Sequence, residues 1–376
     1  MDLEFTEDQE ELRATVRAFL ERECPIALVR RVVEDDTPVD DLWAHMVELG
    51  WPALTVPEEA GGLGLGLVEL AVVVEELGRV VAPGPFLATV TQFVPAVREA
   101  GTPEQQARFL GAVAAGEITG TLAVAEESGS WDGADVGLLA RADGDEWALA
   151  GTKHYVTDGA TADEIVVAAR TTDSGDDDGI GLFVVPRSAV SSTRITTIDG
   201  SRQHATVDLD GVRVGADRVL GGVPGSAGTA LRRALGEATV ALALETVGAC
   251  QSIFDVALDH ARTREQFGVP IGSFQAVKHK FADMFVALEK ARATCYYAAL
   301  TIAEDDPVRS LATSMAKAAA GDCQRLLAQE GIQVMGGMGY TWEHDMHLYV
   351  KRAKSGDALL GTAATHRAKV ADLLGI

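Results

Sequence analysis

The stretch that most constrains this chain is "SAGTALRRALGEATVALALETVGACQSIFDVALDHARTREQFG", Ser226 to Gly268. Apolar residues recur at helical spacing, and no proline interrupts them. A helix of about 40 residues runs roughly 60 Å, far beyond the usual three or four turns. Its middle is apolar on every side, which only a helix buried in a bundle tolerates. Two more long patterns follow, "SFQAVKHKFADMFVALEKARATCYYAALTIAE" and "DPVRSLATSMAKAAAGDCQRLLAQEGIQVMGG". The second is predicted to be capped by Asp306, with Pro307 at its first helical position. "TAATHRAKVADLLGI" closes the chain as a last helix.

The first third is also helical. "FTEDQEELRATVRAFLERE" carries a capping box, Thr6 with Gln9, and "TPEQQARFLGAVAAG" starts on Thr102 and Pro103. "DDLWAHMVELG" and "LVELAVVVEELGRVV" read as helices flanking a glycine-rich loop. From Thr119 the pattern changes to short β-branched runs, with "ADGDEWALAG" as a hairpin signal and "TTDSGDDDG" as an acidic turn. The expected fold is α+β: an N-terminal helical domain (1–117), a central antiparallel β domain (118–222) and a C-terminal long-helix bundle (223–376).

Composition narrows the function classes. The 376 residues are 47% apolar, which places the chain among globular proteins, and the formal charge is -24. Without an excess of Lys and Arg, phosphate neutralisation and nucleic-acid binding are not expected. The acidic start "MDLEFTEDQEEL" is unlike a targeting peptide, and no uncharged run reaches membrane-spanning length. Cys24, Cys250, Cys295 and Cys323 form no metal or redox spacing, so they read as reduced, buried thiols of a cytoplasmic protein.

At "TREQFGVPIGSFQAVKHKFADM" the chain resembles the acyl-CoA dehydrogenase family. So do "VELGWPALTVPEEAGGLGLGLVELAVVVEELGR", "GTKHYVTDGATADEIVV" and "IQVMGGMGYTWEHDMHLYVKRAK", in the family's order along essentially the whole chain. The resemblance implies FAD as cofactor, an acyl-CoA or related acyl thioester as substrate, and an electron-transferring flavoprotein as acceptor. It implies that Thr157 hydrogen-bonds the flavin ring and that Tyr155 packs beside it. Arg264, Gln266, Phe267 and Gln275 would reach the FAD of a neighbouring subunit. Gln333, Gly336 and Gly337 would approach its diphosphate and adenosine, and Thr362 also falls on the cofactor. One FAD gripped by two chains implies a homo- or hetero-tetramer. "AEESGSWDGADV" departs from the family: its proline is missing and Trp131 is unusual, while Ser130 keeps a hydroxyl for the flavin or thioester.

The base is the open question. Removing the α-proton of a thioester needs a positioned carboxylate. In most of the family this is a Glu before a Gly-Thr pair near the C-terminus; here that register gives Leu360 before Gly361 and Thr362. Some relatives carry the base on the long helix, at a position that aligns with Ala238, next to Glu237. Glu237 also reads as a surface residue paired with Arg233. Glu245 stands alone in "VALALETVGAC", seven residues after Ala238, so on nearly the same face and roughly 10 Å along the axis. It reads either as the displaced base or as half of a buried ion pair.

The leading expectation is therefore FAD-dependent α,β-dehydrogenation of an acyl thioester, with Glu245 or Glu237 as base and Ser130, Leu242 and Leu360 near the substrate. A second reading is a non-catalytic partner subunit that completes the FAD site of a heteromeric dehydrogenase. A third is a biosynthetic flavoenzyme of this fold acting on a carrier-protein thioester. A glutamate deep in the pocket would favour a bulky or functionalised acyl group, such as a sterol side chain or a dicarboxylate.

Overall fold

The computed structural model describes residues 5–171, 179–222 and 225–376; the body of the acidic turn, 172–178, lies outside them. The chain opens with α1 (Glu7–Glu23), α2 (Ile26–Asp35), α3 (Asp40–Glu48), α4 (Leu67–Arg79), α5 (Phe86–Ala88), α6 (Val94–Ala100) and α7 (Pro103–Ala114). Strands follow: β1 (Gly120–Ala123), β2 (Leu139–Asp143), β3 (Glu146–Ala150), β4 (Thr152–Thr157), β5 (Glu164–Arg170), β6 (Ile180–Pro186), β7 (Ser191–Ile195), β8 (His204–Asp208) and β9 (Val212–Gly215). The remainder is α8 (Gly228–Thr263), the short pair β10 (Glu265–Gln266) and β11 (Val269–Pro270), then α9 (Gln275–Ala303), α10 (Arg309–Met335), α11 (Met346–Ala358) and α12 (Ala363–Leu374).

Local sequence explains most of these limits. Thr6 and Thr102 close full capping boxes with Gln9 and Gln105. α10 departs from expectation: it starts at Arg309, and Asp306 instead turns the preceding loop by accepting from the Val308 amide at 2.8 Å. α2, α11 and the segment 86–100 were not read as helices from sequence. In that segment α5 and α6 are joined by a π-helical turn, Thr89–Phe93.

The chain divides into two compact units. One holds Met1–Pro38, Leu67–Pro83 and Thr239–Ile376; the other holds Val39–Gly66 and Gly84–Ala238. In the second unit the path β1-β5-β2-β3-β9, with β6 beside β5, makes one sheet, and β4-β8-β7 makes another. Most pairings are antiparallel, including the expected β2–β3 hairpin. β1–β5 and β2–β5 are parallel, so the sheet is mixed rather than antiparallel throughout. The reason is the long connection through β2, β3 and β4, which lets β5 return beside β1 in the same direction. Apolar faces of these strands fill two clusters, one around Phe93, Leu122 and Val184, the other around Ile165, Phe183 and Val207.

In the first unit α10 packs against α9, α11 and α12, and α4 against α1 and α9. α8 is long and apolar enough to cross a membrane by length and composition, and 78% of that apolar window is buried inside the protein. It behaves as the core helix that its all-round apolar middle predicts. Its close neighbour is α4. A methyl group on Gly78 would stand 2.1 Å from the Glu245 carbonyl oxygen, and one on Gly248 would stand 2.0 Å from that of Glu75. The two helices cross with their backbones touching, which only glycine permits.

Gly78→Ala and Gly248→Ala should therefore each destabilise the protein by about 1–3 kcal/mol or more, since the helices must part to admit the methyl. Urea unfolding followed by circular dichroism reads the loss; an unchanged midpoint in both variants would contradict the close crossing.

Candidate active site

In the second unit, β4 carries the "KHYVT" segment. Its register against β8 shifts between Lys153 and Val156, and a shift of this kind re-aims side chains. Tyr155 takes a left-handed backbone, φ 56°, and stays 42% exposed. Two residues on, Thr157 is buried and its carbonyl accepts the Thr121 hydroxyl at 2.6 Å. The Thr157 hydroxyl, by contrast, is buried without a partner among the described residues. Orphaned buried hydroxyls are uncommon, and one at a predicted ring contact fits a bound heteroatom.

The same strand anchors the divergent loop. The Lys153 ammonium, fully buried, donates to the Val124 carbonyl and to Glu126, both at 2.8 Å. Burial pushes Lys153 down to about 8, against the pull of Glu126. Glu126 also accepts from the Gly137 and Leu138 amides at 3.0 and 2.8 Å. Arg170 holds the far side of the loop through the Val136 and Gly133 carbonyls. These groups fix the turn that a proline would otherwise stiffen. Trp131 packs on the apolar cluster, and the Ser130 hydroxyl donates to Asp135 at 2.6 Å. The same oxygen accepts from the Asp132 amide at 3.2 Å.

Glu237, also in this unit, is 6% exposed. Both of its carboxylate oxygens accept from Arg98, at 2.5 and 2.6 Å. Arg233, the partner expected from the sequence, donates to Glu99 at 2.6 Å.

In the first unit Glu245 is 4% exposed and Arg352, from α11, 1%. Arg352 donates to Glu245 at 2.9 Å and, from the same nitrogen, to the Ala82 carbonyl at 3.1 Å. A Cβ on Gly356 would meet the Thr246 hydroxyl at 2.2 Å, so α11 lies directly on α8 here. Leu242 has no exposed surface, and its carbonyl accepts the Thr246 hydroxyl. Glu245 is thus half of a buried ion pair.

The α11–α12 connection presents Leu360. Its backbone is left-handed, φ 59°, and its side chain is buried. Gly361 follows at φ 94°, and Thr362 caps α12 by accepting from the Thr365 amide. Asp357 lies in the last turn of α11 and accepts from the Ala363 amide at 3.1 Å. Lys317, buried on α10, donates to the Gly356 and Asp357 carbonyls at 2.6 and 3.0 Å. His366 reaches the Leu360 carbonyl at 2.9 Å. Lys317 and His366 escaped the sequence reading because nothing in their local pattern separates them from surface positions.

Where α8 ends, Arg264 leads into the β10–β11 hairpin. Phe267 and Gly268 sit at its tip with φ 57° and 80°, a mirror-image turn that normally excludes a bulky first residue. Phe267 is nevertheless kept, and it is 92% exposed. Gln266 donates to the Glu265 carbonyl, and Gln275 at the start of α9 meets His279 at 2.9 Å. Gln333 is exposed near the end of α10. Beyond it, Gly336 has φ 61°, and a Cβ on Gly336 or Gly337 would meet nothing within 4 Å. These glycines leave open space at the surface. Tyr155, Phe267 and Leu360 are three of seven described non-glycine residues with positive φ. Such strain collects where a side chain's direction matters.

The chain matches known proteins along nearly its whole length. The acyl-CoA dehydrogenase N-terminal, middle and C-terminal domain families match residues 6–117, 121–213 and 228–375. The acyl-CoA dehydrogenase IpdE2 of Mycobacterium tuberculosis is 34% identical, over 94% of this chain and 93% of its own. The short-chain specific acyl-CoA dehydrogenase of Bos taurus mitochondria is 32% identical, over 98% and 90%. A chain of the ChsE4-ChsE5 complex from Mycobacterium tuberculosis superposes with TM-score 0.90 at 28% identity, covering 100% of this chain and 99% of that one.

Two outcomes follow from the geometry. Glu245→Ala leaves Arg352 buried without its carboxylate and should cost about 3–5 kcal/mol, whereas the Glu245→Leu, Arg352→Met double variant should recover most of that loss. Denaturant midpoints of the wild type, single and double variants give the answer. Gly337→Ala, with open space at its Cβ, should hold stability within about 0.5 kcal/mol. The expected diphosphate contact of Gly337 predicts that the variant nonetheless releases flavin more readily, measured by filtration and absorbance.

Proposed function

We propose, because this chain belongs to the acyl-CoA dehydrogenase family of flavin-dependent oxidoreductases acting on CH–CH bonds, that it serves α,β-dehydrogenation of an acyl-CoA as the FAD-holding chain of a heteromeric enzyme. In this reading the α-proton is accepted by a carboxylate of the partner chain. The observation that carries it is the state of the three base positions. Residue 360 is an apolar, buried Leu; Glu245 and Glu237 are each bound to an arginine. Proton uptake by Glu245 would weaken its bond to the buried Arg352 guanidinium, and Glu237 is held by both its oxygens on the half-buried Arg98. The relative in the ChsE4-ChsE5 complex supports an assembly of two unlike chains.

When bound, FAD would accept the hydride that leaves the β-carbon. The chain's residues do the rest by position. The free Thr157 hydroxyl is offered to the flavin ring and Tyr155 lies beside it. Arg264, Phe267, Gln275, Gln333, Gly336, Gly337 and Thr362 serve the cofactor's phosphate and adenosine ends or the ring's edge. Leu360 excludes water with an apolar side chain. A tetramer with FAD at shared sites, and reoxidation by an electron-transferring flavoprotein, complete the reading.

The test uses the chain purified alone and co-expressed with a neighbouring-gene partner. Alone, with an acyl-CoA panel and a dye acceptor, it should show only background turnover. Leu360→Glu should raise that turnover by about 100-fold or more, the scale of one positioned general base. Full activity of the wild-type chain alone, abolished by Glu245→Gln, would overturn the proposal and restore Glu245 as the base.

A further inference from the structure

Left-handed backbone costs a non-glycine residue roughly 1–2 kcal/mol, so the conformation of Leu360 needs an external hold. One buried side chain supplies it. His366, 4% exposed on α12, places Nε2 2.9 Å from the Leu360 carbonyl oxygen. A carbonyl can only accept, so Nε2 carries the proton and donates. Nδ1 is then the acceptor, with the Ser314 hydroxyl of α10 at 3.4 Å. The ring also stands against the turn that follows: a Cβ on Gly361 would lie 3.1 Å from Nε2. The bonded carbonyl belongs to the peptide that joins residue 360 to Gly361. Fixing that peptide fixes the ψ of residue 360, and with it the direction of the side chain.

We infer that His366 is a positioning residue for position 360: its Nε2–H bond to the Leu360 carbonyl holds the left-handed backbone and so sets where that side chain points, whatever its chemistry. The inference rests on the proposal that position 360 faces the reacting thioester and flavin. The lock has two supports. Lys317 closes the end of α11 just before residue 360, and Asp357 ties α11 to the first amide of α12. His366 stays neutral: burial pushes it down to about 4, with Lys317 and Lys369 acting in the same direction and Asp357 and the Leu360 carbonyl opposing. A neutral ring keeps a single tautomer, and the donor stays aimed at the carbonyl. Its contribution to stability is full above about 6.5 and is lost as pH falls toward about 4, because the unfolded chain takes a proton that the folded chain refuses.

The decisive set is built on the full-length Leu360→Glu chain with bound FAD. Adding His366→Gln, whose amide can still donate, should leave kcat within about 3-fold. Adding His366→Leu should lower kcat per bound flavin by about 10–100-fold, the cost of a misplaced reacting group, with KM nearly unchanged. A purely structural His366 would reduce the yield of folded protein and leave kcat per flavin alone; that result overturns the inference. If Leu360→Glu is itself inactive, the placement of position 360 fails, and the lock is judged without activity. The ¹⁵N spectrum of labelled histidine in the wild-type chain should then show the Nε2–H form unchanged from pH 8 to 5. The crystal structure of His366→Leu should show residue 360 out of the left-handed region. An Nδ1–H ring, or an unmoved backbone in that variant, overturns it.

Discussion

The contact on which the larger helical unit depends is the ion pair of Glu245 and Arg352. Two charges with almost no access to water are costly, and only good geometry with further hydrogen bonds repays the desolvation. Here one guanidinium nitrogen serves the Glu245 carboxylate of α8 and the carbonyl of Ala82, just past the end of α4. Three segments far apart in sequence are therefore set against one another by a single side chain. The glycines at 78, 248 and 356 let them come close enough for it. An apolar pair of similar volume would fill the space but would not specify the rotation of α11 in the same way.

That rotation matters because α11 delivers the chain to residue 360. Lys317 ends the helix, Asp357 begins the next one, and His366 holds the peptide between them. The stretch is built as a rigid mount. A loop that only joined two helices would use glycine at the left-handed position and need no buried histidine. The same economy is refused at Tyr155 and at Phe267, where a large side chain is kept on backbone that disfavours it. In the proposed reading all three are kept for what they present to the cofactor or substrate.

Much of this was legible in the sequence. The helix–strand–helix order, the long core helix, the two threonine capping boxes and the β2–β3 hairpin follow from spacing and from turn residues, which act locally. Parallel pairing of β1 with β5 does not, because strand direction depends on where a distant segment returns. Nor did Asp306 reveal that it turns the loop ahead of α10 rather than capping the helix itself. At the candidate site the distinctive residues, Thr157, Phe267 and Leu360, were visible as departures from the surrounding pattern or as matches to a family motif. Lys317, His366 and Arg352 were not. Each acts through a partner on another element, and in the sequence each looks like an ordinary polar residue of a helix.

Glu245 shows where the boundary falls. A lone carboxylate in an apolar run signals that something unusual is buried, and that signal was sound. It carries no information about whether the carboxylate meets a substrate or an arginine, because Arg352 lies 107 positions further on. In the structure the carboxylate meets the arginine, and the proposed chemistry follows from that contact. A fold that spends the buried Glu245 carboxylate on holding α11 in place has given it to the mount that presents position 360. At 360 it then presents a leucine. In the proposed reading the proton acceptor comes from a second chain of unlike sequence, an arrangement under which keeping the mount while dropping the acid costs the enzyme nothing.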